Sequence, residues 1–572
     1  MKTVIKRRST LNQTVLELPS LLQRIYEHRG IIEPSDLDRS LQALLPFHSL
    51  KGIEEAVQLL SDAIREQQRI LIIGDFDADG ATSSALAVLA LKKFGAKHVH
   101  FLVPNRFEYG YGLTPEIVDV AFEWKPDLLI TVDNGISSFE GVARAKELGL
   151  RVLITDHHLQ GVQLPMADAI VNPNQKGDLF PSKHLAGVGV IFYTMLALRA
   201  HLKTQAWYDH GDVNLAQFLD LVALGTVADL VPLDKNNRIL VYQGLQRIRA
   251  GQCRSGILAL LEVSSRDYKK VIASDLSFAV GPRLNAAGRL DDMAIGINAL
   301  LCDDVDQARR AVQQLDDFNK ERRELEHSMK TQAFIQLDRL TINHAETSFP
   351  AGLCLFDETW HQGVIGIVAS RIKEKYHRPV IAFAAADEKT LKGSARSIQG
   401  LHLRDVLDAI ASQHPHVIQK FGGHAMAAGL TIQREHYEEF SQRFVEEVRS
   451  RLTEDQLQGY VLSDGELLGE ELKLEVADLL LAHGPWGQCF EEPLFDGIFY
   501  VEQQKLLAQR HLKLVLRTLD KSLTVSAIVF NVDLNHWPNN GCEKIEIAYR
   551  LGINEYNGLR QLQLVVEHLR EV

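Results

Sequence analysis

Three aspartates at alternate positions, Asp75, Asp77 and Asp79, follow the apolar run Ile70-Leu71-Ile72-Ile73 and precede Gly80. Carboxylates this close repel one another unless a cation neutralises them, and hard oxygen donors suit Mg²⁺, Mn²⁺ or Ca²⁺. The apolar run is short and rich in β-branched residues, as a buried strand should be, and a helical pattern begins at Ala81 and runs to about Lys93. The stretch reads as strand, acidic loop, helix. In an open parallel sheet such a loop lies at the carboxyl ends of the strands, where ligands bind.

Two other readings fit this stretch alone. The spacing also opens an EF-hand loop. That motif needs a bidentate Glu at its twelfth position, where this chain has Leu86, and a helix in front where this chain has a strand. A solvated acidic turn without a metal is the second, and the rest of the chain decides.

Three further polar clusters end apolar segments. Asp133-Asn134-Gly135 follows Leu128 to Val132, and Asp156-His157-His158 follows Val152 to Thr155. Asp229 closes Gly225-Thr226-Val227-Ala228, after an apolar segment that begins at Phe218. Singly these are a common turn, a loop pair and a helix cap. Together they place carboxylate or imidazole on four loops along one edge of a sheet. Two divalent ions about 3.5–4 Å apart need such a set, with one carboxylate bridging. The imidazole favours Mn²⁺ over a pure Mg²⁺ site.

The elements that must position these groups alternate from about 50 to 235. Helix 53–67, strand 69–74, helix 80–94, strand 98–103, helix 115–124, strand 127–132, helix 138–148 and strands 151–155 and 168–171 are expected, with helices near 187–202 and 214–224. Such alternation implies a mostly parallel α/β sheet. Residues 1–48, punctuated by Pro19, Pro34 and Pro46, read as short helices and turns. Residues 236–300 read as mixed helix and loop, and 303–342 as a strongly charged helical run, a solvated helix between domains.

Residues 350–450 form a second α/β unit with three glycine-rich polar segments: Trp360 to Gly366, Gly393-Ser394-Ala395-Arg396-Ser397, and Phe421 to Gly429 around His424. Glycine lets backbone N–H groups approach an anion, a helix N-terminus adds its dipole, and Arg396 could fork onto a phosphate. Each cluster taken singly is an ordinary turn. From about 455 five short strands (495–501, 511–517, 523–530, 544–551 and 561–567) suggest a small β-barrel. Lys505, Arg510, His511, Lys513 and Arg517 give it a basic side; Trp537 reads as core or rim before it reads as a base stacker.

The chain has 572 residues, enough for roughly three or four domains. Hydrophobic content of 46% and charged content of 24% are those of a soluble globular protein, and no apolar run reaches membrane-spanning length. The basic N-terminus is followed by no apolar segment, so no signal peptide is expected. Five scattered cysteines fit a reducing cytosol and no zinc ribbon. The net charge of −12 weighs against nucleic acid as a partner without excluding a local basic groove.

The ordered set, DxDxD, Asp133, the Asp156-His157-His158 triplet and Gly-Thr-Val-Ala-Asp229, resembles the four motifs of the DHH phosphoesterase superfamily. Asn105-Arg106-Phe107-Glu108-Tyr109-Gly110-Tyr111-Gly112, Leu185 to Val190 and Gly281-Pro282-Arg283-Leu284-Asn285-Ala286-Ala287-Gly288-Arg289 are similar to segments of its RecJ family of bacterial single-strand-specific exonucleases. The resemblance runs along essentially the whole chain.

The resemblance implies an α/β fold: a parallel-sheet DHH domain (49–235) and a smaller α/β DHHA1 domain (349–452), joined by a long helix within a helical connector (236–348). An OB-fold barrel (455–572) follows, and residues 1–48 form an N-terminal helical extension. It implies 5′-to-3′ degradation of single-stranded DNA with two divalent ions, Mn²⁺ or Mg²⁺, in DNA recombination and repair. Asp75, Asp77 and Asp133 would hold one ion; Asp79, Asp133, His157 and Asp229 the other. Asp156 would orient a histidine and His158 would face the phosphate. Arg106, Arg289, Ser394, Arg396 and His424 are expected phosphate contacts, and Tyr109 and Tyr111 base stackers. Expected partners are helicases and single-strand-binding protein, acting with a cytoplasmic monomer that needs no membrane. The alternatives are a DHH phosphoesterase for small phosphate substrates or short oligonucleotides, with the same chemistry, and a non-catalytic DNA-binding scaffold, which the intact carboxylate set opposes.

Overall fold

The computed structural model describes residues 4–9, 16–105, 108–109, 111–207, 212–343, 349–534 and 536–572, with the backbone alone over 339–343. The chain divides into two compact units. One joins Arg8–Asn319 to Asp464–Val572; the other joins Met1–Arg7 to Lys320–Ser463.

The larger unit is built on a parallel sheet. Its strands run, edge to edge, Val99–Leu102, Ile70–Gly74, Leu128–Val132, Arg151–Thr155 and Ala169–Val171. Alternate residues of the central strands feed two cores. Ile70, Ile72, Leu128, Ile130 and Leu153 face one, which also holds the helices Ile53–Arg65, Ala78–Lys93 and Gly187–Thr204; Leu71, Ile73, Leu129, Val152 and Ile154 face the other. A sheet covered on both faces reads as continuous apolar runs, which is why the sequence pattern is legible here. Between 235 and 301 the chain is nearly all helical, where mixed helix and loop is expected from the sequence.

The same unit contains a closed five-stranded barrel: Phe495–Leu507, His511–Thr518, Thr524–Val529, Leu559–Glu571 and Lys544–Tyr556 in order around it. Its interior, including Phe495, Leu514, Ile547 and Tyr549, is continuous with the core of the sheet and helices. Trp537 is buried in that core. Lys505 and Lys513 stand opposite each other on the outer face, both exposed. Arg517 is paired with Glu502 at 2.6 Å, so the basic side is smaller than expected from the sequence.

The smaller unit has a mixed sheet in the order Lys420–Gly423, Ala427–Gln433, Thr390–Arg396, Val380–Ala385 and Leu353–Phe356. The segments 393–396, 421–423 and 427–429, read as turns from their glycines, are strands here. The first residues also contribute a strand that the sequence reading lacks: Val4–Arg7 pairs in parallel with Tyr460–Ser463. The helix Val305–Asn343 passes from one unit into the other and is not simply solvated. It buries Val312 and Leu315 in the first core, and Met329, Ala333 and Leu337 beside the second unit's sheet.

Candidate active site

The strand Ile70–Gly74 is buried throughout and ends where Asp75 begins. Asp77 caps the next helix, Ala78–Lys93, its Oδ1 accepting from the N–H groups of Asp79 at 2.9 Å and Gly80 at 3.0 Å. Capping starts the helix earlier than its apolar periodicity predicts. Asp79 therefore projects from the first helical turn, not from a loop. Its Oδ2 accepts from Gly187 N at 2.6 Å and its Oδ1 from Val188 N at 2.9 Å, the first residues of the helix Gly187–Thr204. A helix N-terminus is the right end to meet a carboxylate. Gly187 must be glycine, because a Cβ there would lie 2.6 Å from that of Asp133.

Asp133 follows Leu128–Val132 and adopts a left-handed φ of 63°, uncommon outside glycine. Its Oδ1 is buried and accepts no hydrogen bond, although His157 Nε2 stands 3.1 Å away. His157 Nε2 also lies 3.6 Å from Asp229 Oδ2. Asp229 does not come from the sheet edge. It is the C-cap of the helix Leu219–Ala228, which packs on Ala78–Lys93 and so delivers its end to the cluster.

The donors fall into overlapping groups, with ligand atoms within 4.8 Å of one another in each: Asp75, Asp77 and Asp133; Asp79, His157 and Asp229; Asp133, His157 and His158. Burial raises the pKa of Asp79 to about 7, with the Asp77 charge adding to it and the Gly187 and Val188 N–H groups opposing it. Burial and the surrounding aspartates push Asp133 and Asp229 well above the usual carboxylate range. Both causes penalise negative charge, and divalent cations remove that penalty. An oxygen-rich set with one imidazole and an unsatisfied buried carboxylate oxygen fits Mn²⁺ or Mg²⁺.

Asp156 is buried behind this cluster. Its Oδ2 accepts from Ile136 N, and its Oδ1 accepts from His157 N and His158 N and lies 2.8 Å from His158 Nδ1. Burial would raise Asp156, but His158 and these N–H groups hold it below the ordinary value. Burial would lower His158, but Asp156, then Asp229 and Asp75, outweigh it and raise His158 to about 9. Asp156 therefore orients His158 rather than His157.

Tyr111 is 51% exposed, yet its hydroxyl turns inward, 3.3 Å from Asp133 O and 3.2 Å from His158 Nε2. Desolvation, then the nearby aspartates, raise its pKa well above the ordinary value, so it stays a neutral donor. Tyr109 packs against the Leu71, Ile73 and Ile154 core. Arg106 lies outside the described residues. Arg289 ends the helix Gly281–Leu290.

That helix supplies a residue not singled out from the sequence. Asn285 Oδ1 accepts from Ala78 N at 2.7 Å, one of the donors that the helix start leaves without an intrahelical partner. Gly288 lets the helix press on the carbonyl of Phe76, where a Cβ would overlap it. Asn285 is visible in the Gly281–Arg289 segment, but nothing local says what it binds. Asn172 and Asn174, whose amides donate to the carbonyls of His158 and His157, are equally silent in sequence.

In the smaller unit Ser394 and Arg396 share the strand Thr390–Arg396, and Arg396 Nη1 donates to Ser394 Oγ at 3.2 Å and to Ala395 O at 2.8 Å. That strand is paired on both sides. Its backbone N–H groups are spent on the sheet, which corrects the expectation that they would meet a phosphate. A Cβ on Gly366, at the start of the helix Ile365–Tyr376, would lie 2.8 Å from both Ser394 Oγ and Arg396 Nη2, so this helix start adjoins them. His424 is exposed in the turn between Lys420–Gly423 and Ala427–Gln433.

Residues 69–226 match the DHH family N-terminal domain, 350–453 the DHHA1 domain and 463–568 the RecJ OB domain. The chain is 52% identical over 569 residues, 98% of both sequences, to the single-stranded-DNA-specific exonuclease RecJ of Escherichia coli (strain K12). The chain belongs to the RecJ family. Two solved RecJ structures from Thermus thermophilus are similar over 100% of this chain. The complex with Mn²⁺ has a TM-score of 0.83 at 30% identity, with 80% of its chain covered. The complex with Mg²⁺ has 0.76 at 28%, with 78% covered. Within the RecJ framework Asp75 to Asp156 and both histidines fall in the DHH region, with Asp229 just beyond it, and Ser394, Arg396 and His424 fall in DHHA1.

Proposed function

We propose that this RecJ-family chain is a metal-dependent exonuclease that degrades single-stranded DNA from the 5′ end, in DNA recombination and repair. The observation that carries the reading is a pair of donor groups, Asp75/Asp77/Asp133 and Asp79/His157/Asp229, that can share Asp133. Each group would hold one Mn²⁺ or Mg²⁺. Bound there, the ions supply Lewis-acid activation of water and neutralisation of the scissile phosphodiester. The protein's own groups do the rest. Gly187 and Val188 fix Asp79, Asn285 fixes the start of the acidic helix, and Asp156 orients His158 and favours its protonated form, to meet charge developing on the phosphate. Tyr111, hydrogen-bonded to the cluster, offers its ring to a base or sugar near the cut.

The segments divide the work. Residues 49–235 carry catalysis, 236–348 connect, 349–452 recognise the end, 455–572 hold the strand and 1–48 brace the fold. Lys505 and Lys513, exposed and opposite each other, repel until a phosphate lies between them, which supports a long strand over a small substrate. Helicases and single-strand-binding protein as partners, a monomeric state and a cytoplasmic setting belong to the same proposal. Among the described residues no helix is long and apolar enough to cross a membrane.

The choice of a 5′ end tests it. Metals alone would cut at any phosphate, so another group must reward a terminus. Arg396 and the Ser394 hydroxyl suit a 5′-phosphate, and Arg289 and His424 are each further phosphate contacts of their own unit. Matched 5′-phosphate, 5′-hydroxyl and blocked oligonucleotides, labelled at either end, should be degraded from the 5′ end only. Arg396→Ala should lose most of the 5′-phosphate advantage, about 1.5–3 kcal/mol for a bond to a charged group. Full preference in the variant refutes the role of Arg396, and 3′-end degradation refutes the polarity.

A further inference from the structure

A second set of metal-type donors lies in the smaller unit, on residues the nuclease reading does not use. The helix Leu403–Gln413 ends into His414-Pro415-His416, a turn closed by Val417 N donating to His414 O at 3.0 Å. Val417 and Ile418 are buried and anchor that turn. Beside it, His436 is the N-cap of the helix Tyr437–Arg451, and Glu439 stands in its first turn, three residues on. An i, i+3 pair on a helix points two side chains the same way.

One ligand atom each from His416, His436 and Glu439 lie within 4.8 Å of one another. His416 Nε2 is 3.2 Å from Glu439 Oε2, and the His416 and His436 ring centres are 5.2 Å apart. Zn–N bonds of about 2.0–2.1 Å in a tetrahedron put neighbouring donors roughly 3.3–3.5 Å apart. One pair already has that spacing. Closing the set requires His436 Nε2, now 3.7 Å from Glu435 Oε1, to turn toward His416 and Glu439. His414, whose ring centre is 6.5 Å from that of His416, or a water could complete the four. The positive end of the helix opposes a cation here, and Glu438 and Glu439 in the first turn offset it.

We propose that His416, His436 and Glu439 form a binding site for a zinc-class dication, built from other residues than the catalytic cluster. Two imidazoles and one carboxylate select Zn²⁺ over Mg²⁺ or Mn²⁺, the reverse of the oxygen-rich aspartate set. Such an ion ties the turn at 414–417 to the start of the helix Tyr437–Arg451. The turn leads directly into Lys420–Gly423, the edge strand that carries the hairpin with His424. Zinc there stiffens the edge of the sheet without touching the aspartates.

The test uses the full chain in excess Mg²⁺, with Zn²⁺ added by equilibrium dialysis. Wild type should retain one more equivalent of Zn²⁺ than H416N/H436N, and E439Q should weaken the extra equivalent at least about tenfold. Hydrogen exchange over 414–423 should slow with Zn²⁺ in wild type and not in the double variant. Without Zn²⁺ the variants should match wild type in thermal midpoint and in Mg²⁺-supported nuclease rate, which shows that they fold. Equal zinc content in wild type and H416N/H436N, or protection confined to the segments bearing Asp75, Asp133 and His157, overturns the proposal.

Discussion

Two buried carboxylate sites in the larger unit have opposite fates. Asp464 is 1% exposed, lies 2.9 Å from His28 Nδ1, and accepts from Arg29 through two bonds of 2.9 and 3.0 Å and from Leu494 N at 3.1 Å. Burial would raise its pKa, but His28 and Arg29 win and bring it to about 2. Asp79 is equally buried, yet its nearest charge is another carboxylate, and its pKa rises to about 7. Burial is common to both. The sign of the neighbouring charge separates a finished structural ion pair from a site that needs cations.

The largest effect should come from removing the shared ligand. Asp133→Ala should lower single-strand degradation by about 10³-fold or more, beyond the roughly 10²–10³ that loss of one transition-state donor costs. Binding of single-stranded DNA should persist. A rate near wild type would break the contrast, since the aspartate cluster would then be structural like Asp464.

Asp464→Asn should leave the chemistry intact in whatever fraction stays folded, and cost about 3–5 kcal/mol of stability by stranding Arg29. Denaturant unfolding measures it. A variant as stable as wild type would show the pair to be incidental.

Acid and base should pull the two sites apart. Asp464 has a folded pKa of about 2, below its ordinary 3.8. Its stabilisation, roughly 2–3 kcal/mol, is complete above pH 4 and lost as pH falls toward 2. Asp79 is raised to about 7, so its contribution has the other sign. Metal-free protein should lose stability as pH rises from about 4 through 7, and Mn²⁺ should restore most at the top of that window. Thermal midpoints with and without chelator, across pH, read both limbs. A chelated protein that grows steadily more stable toward pH 8 would contradict the assignment.

A finer probe is Asn285→Ala, which leaves Ala78 N without its acceptor. The Mn²⁺ concentration for half-maximal activity should rise about 10–100-fold, as for other residues that orient ligands. An unchanged metal requirement would make Asn285 a packing residue. The smallest effect is expected at the barrel. Deleting the barrel would expose the core it shares with the sheet, so point substitution is the cleaner probe. Lys505→Ala with Lys513→Ala should reduce the salt slope of single-strand binding by about 1.4, or 0.7 per phosphate. An unchanged slope removes this face from the strand path.

Some of this could be read without coordinates. The strand Ile70–Gly74 is legible because a doubly covered parallel strand must be apolar at every position. Asp75, Asp77, Asp133, Asp156 and His157 are legible because each lies at or just beyond the end of such a strand. The strands Thr390–Arg396 and Lys420–Gly423 were not, because glycine weakens the alternation that marks a strand and mimics a turn.

The sequence by itself determined the chemistry on offer: which carboxylates and imidazoles exist, and that several follow apolar strands. Local pattern sets strand ends, and strand ends set where loops begin. Tertiary structure alone decided which groups meet. Asp229 reaches the cluster from a helix end, Asn285 arrives from 207 positions away to hold Ala78, and Gly187 yields its volume to Asp133. It also decided the sign of the field, giving Asp464 the guanidinium of Arg29 beside a hydrogen-bonded His28, and Asp79 a helix N-terminus among other carboxylates. Such contacts depend on packing between distant elements, and no local periodicity encodes them.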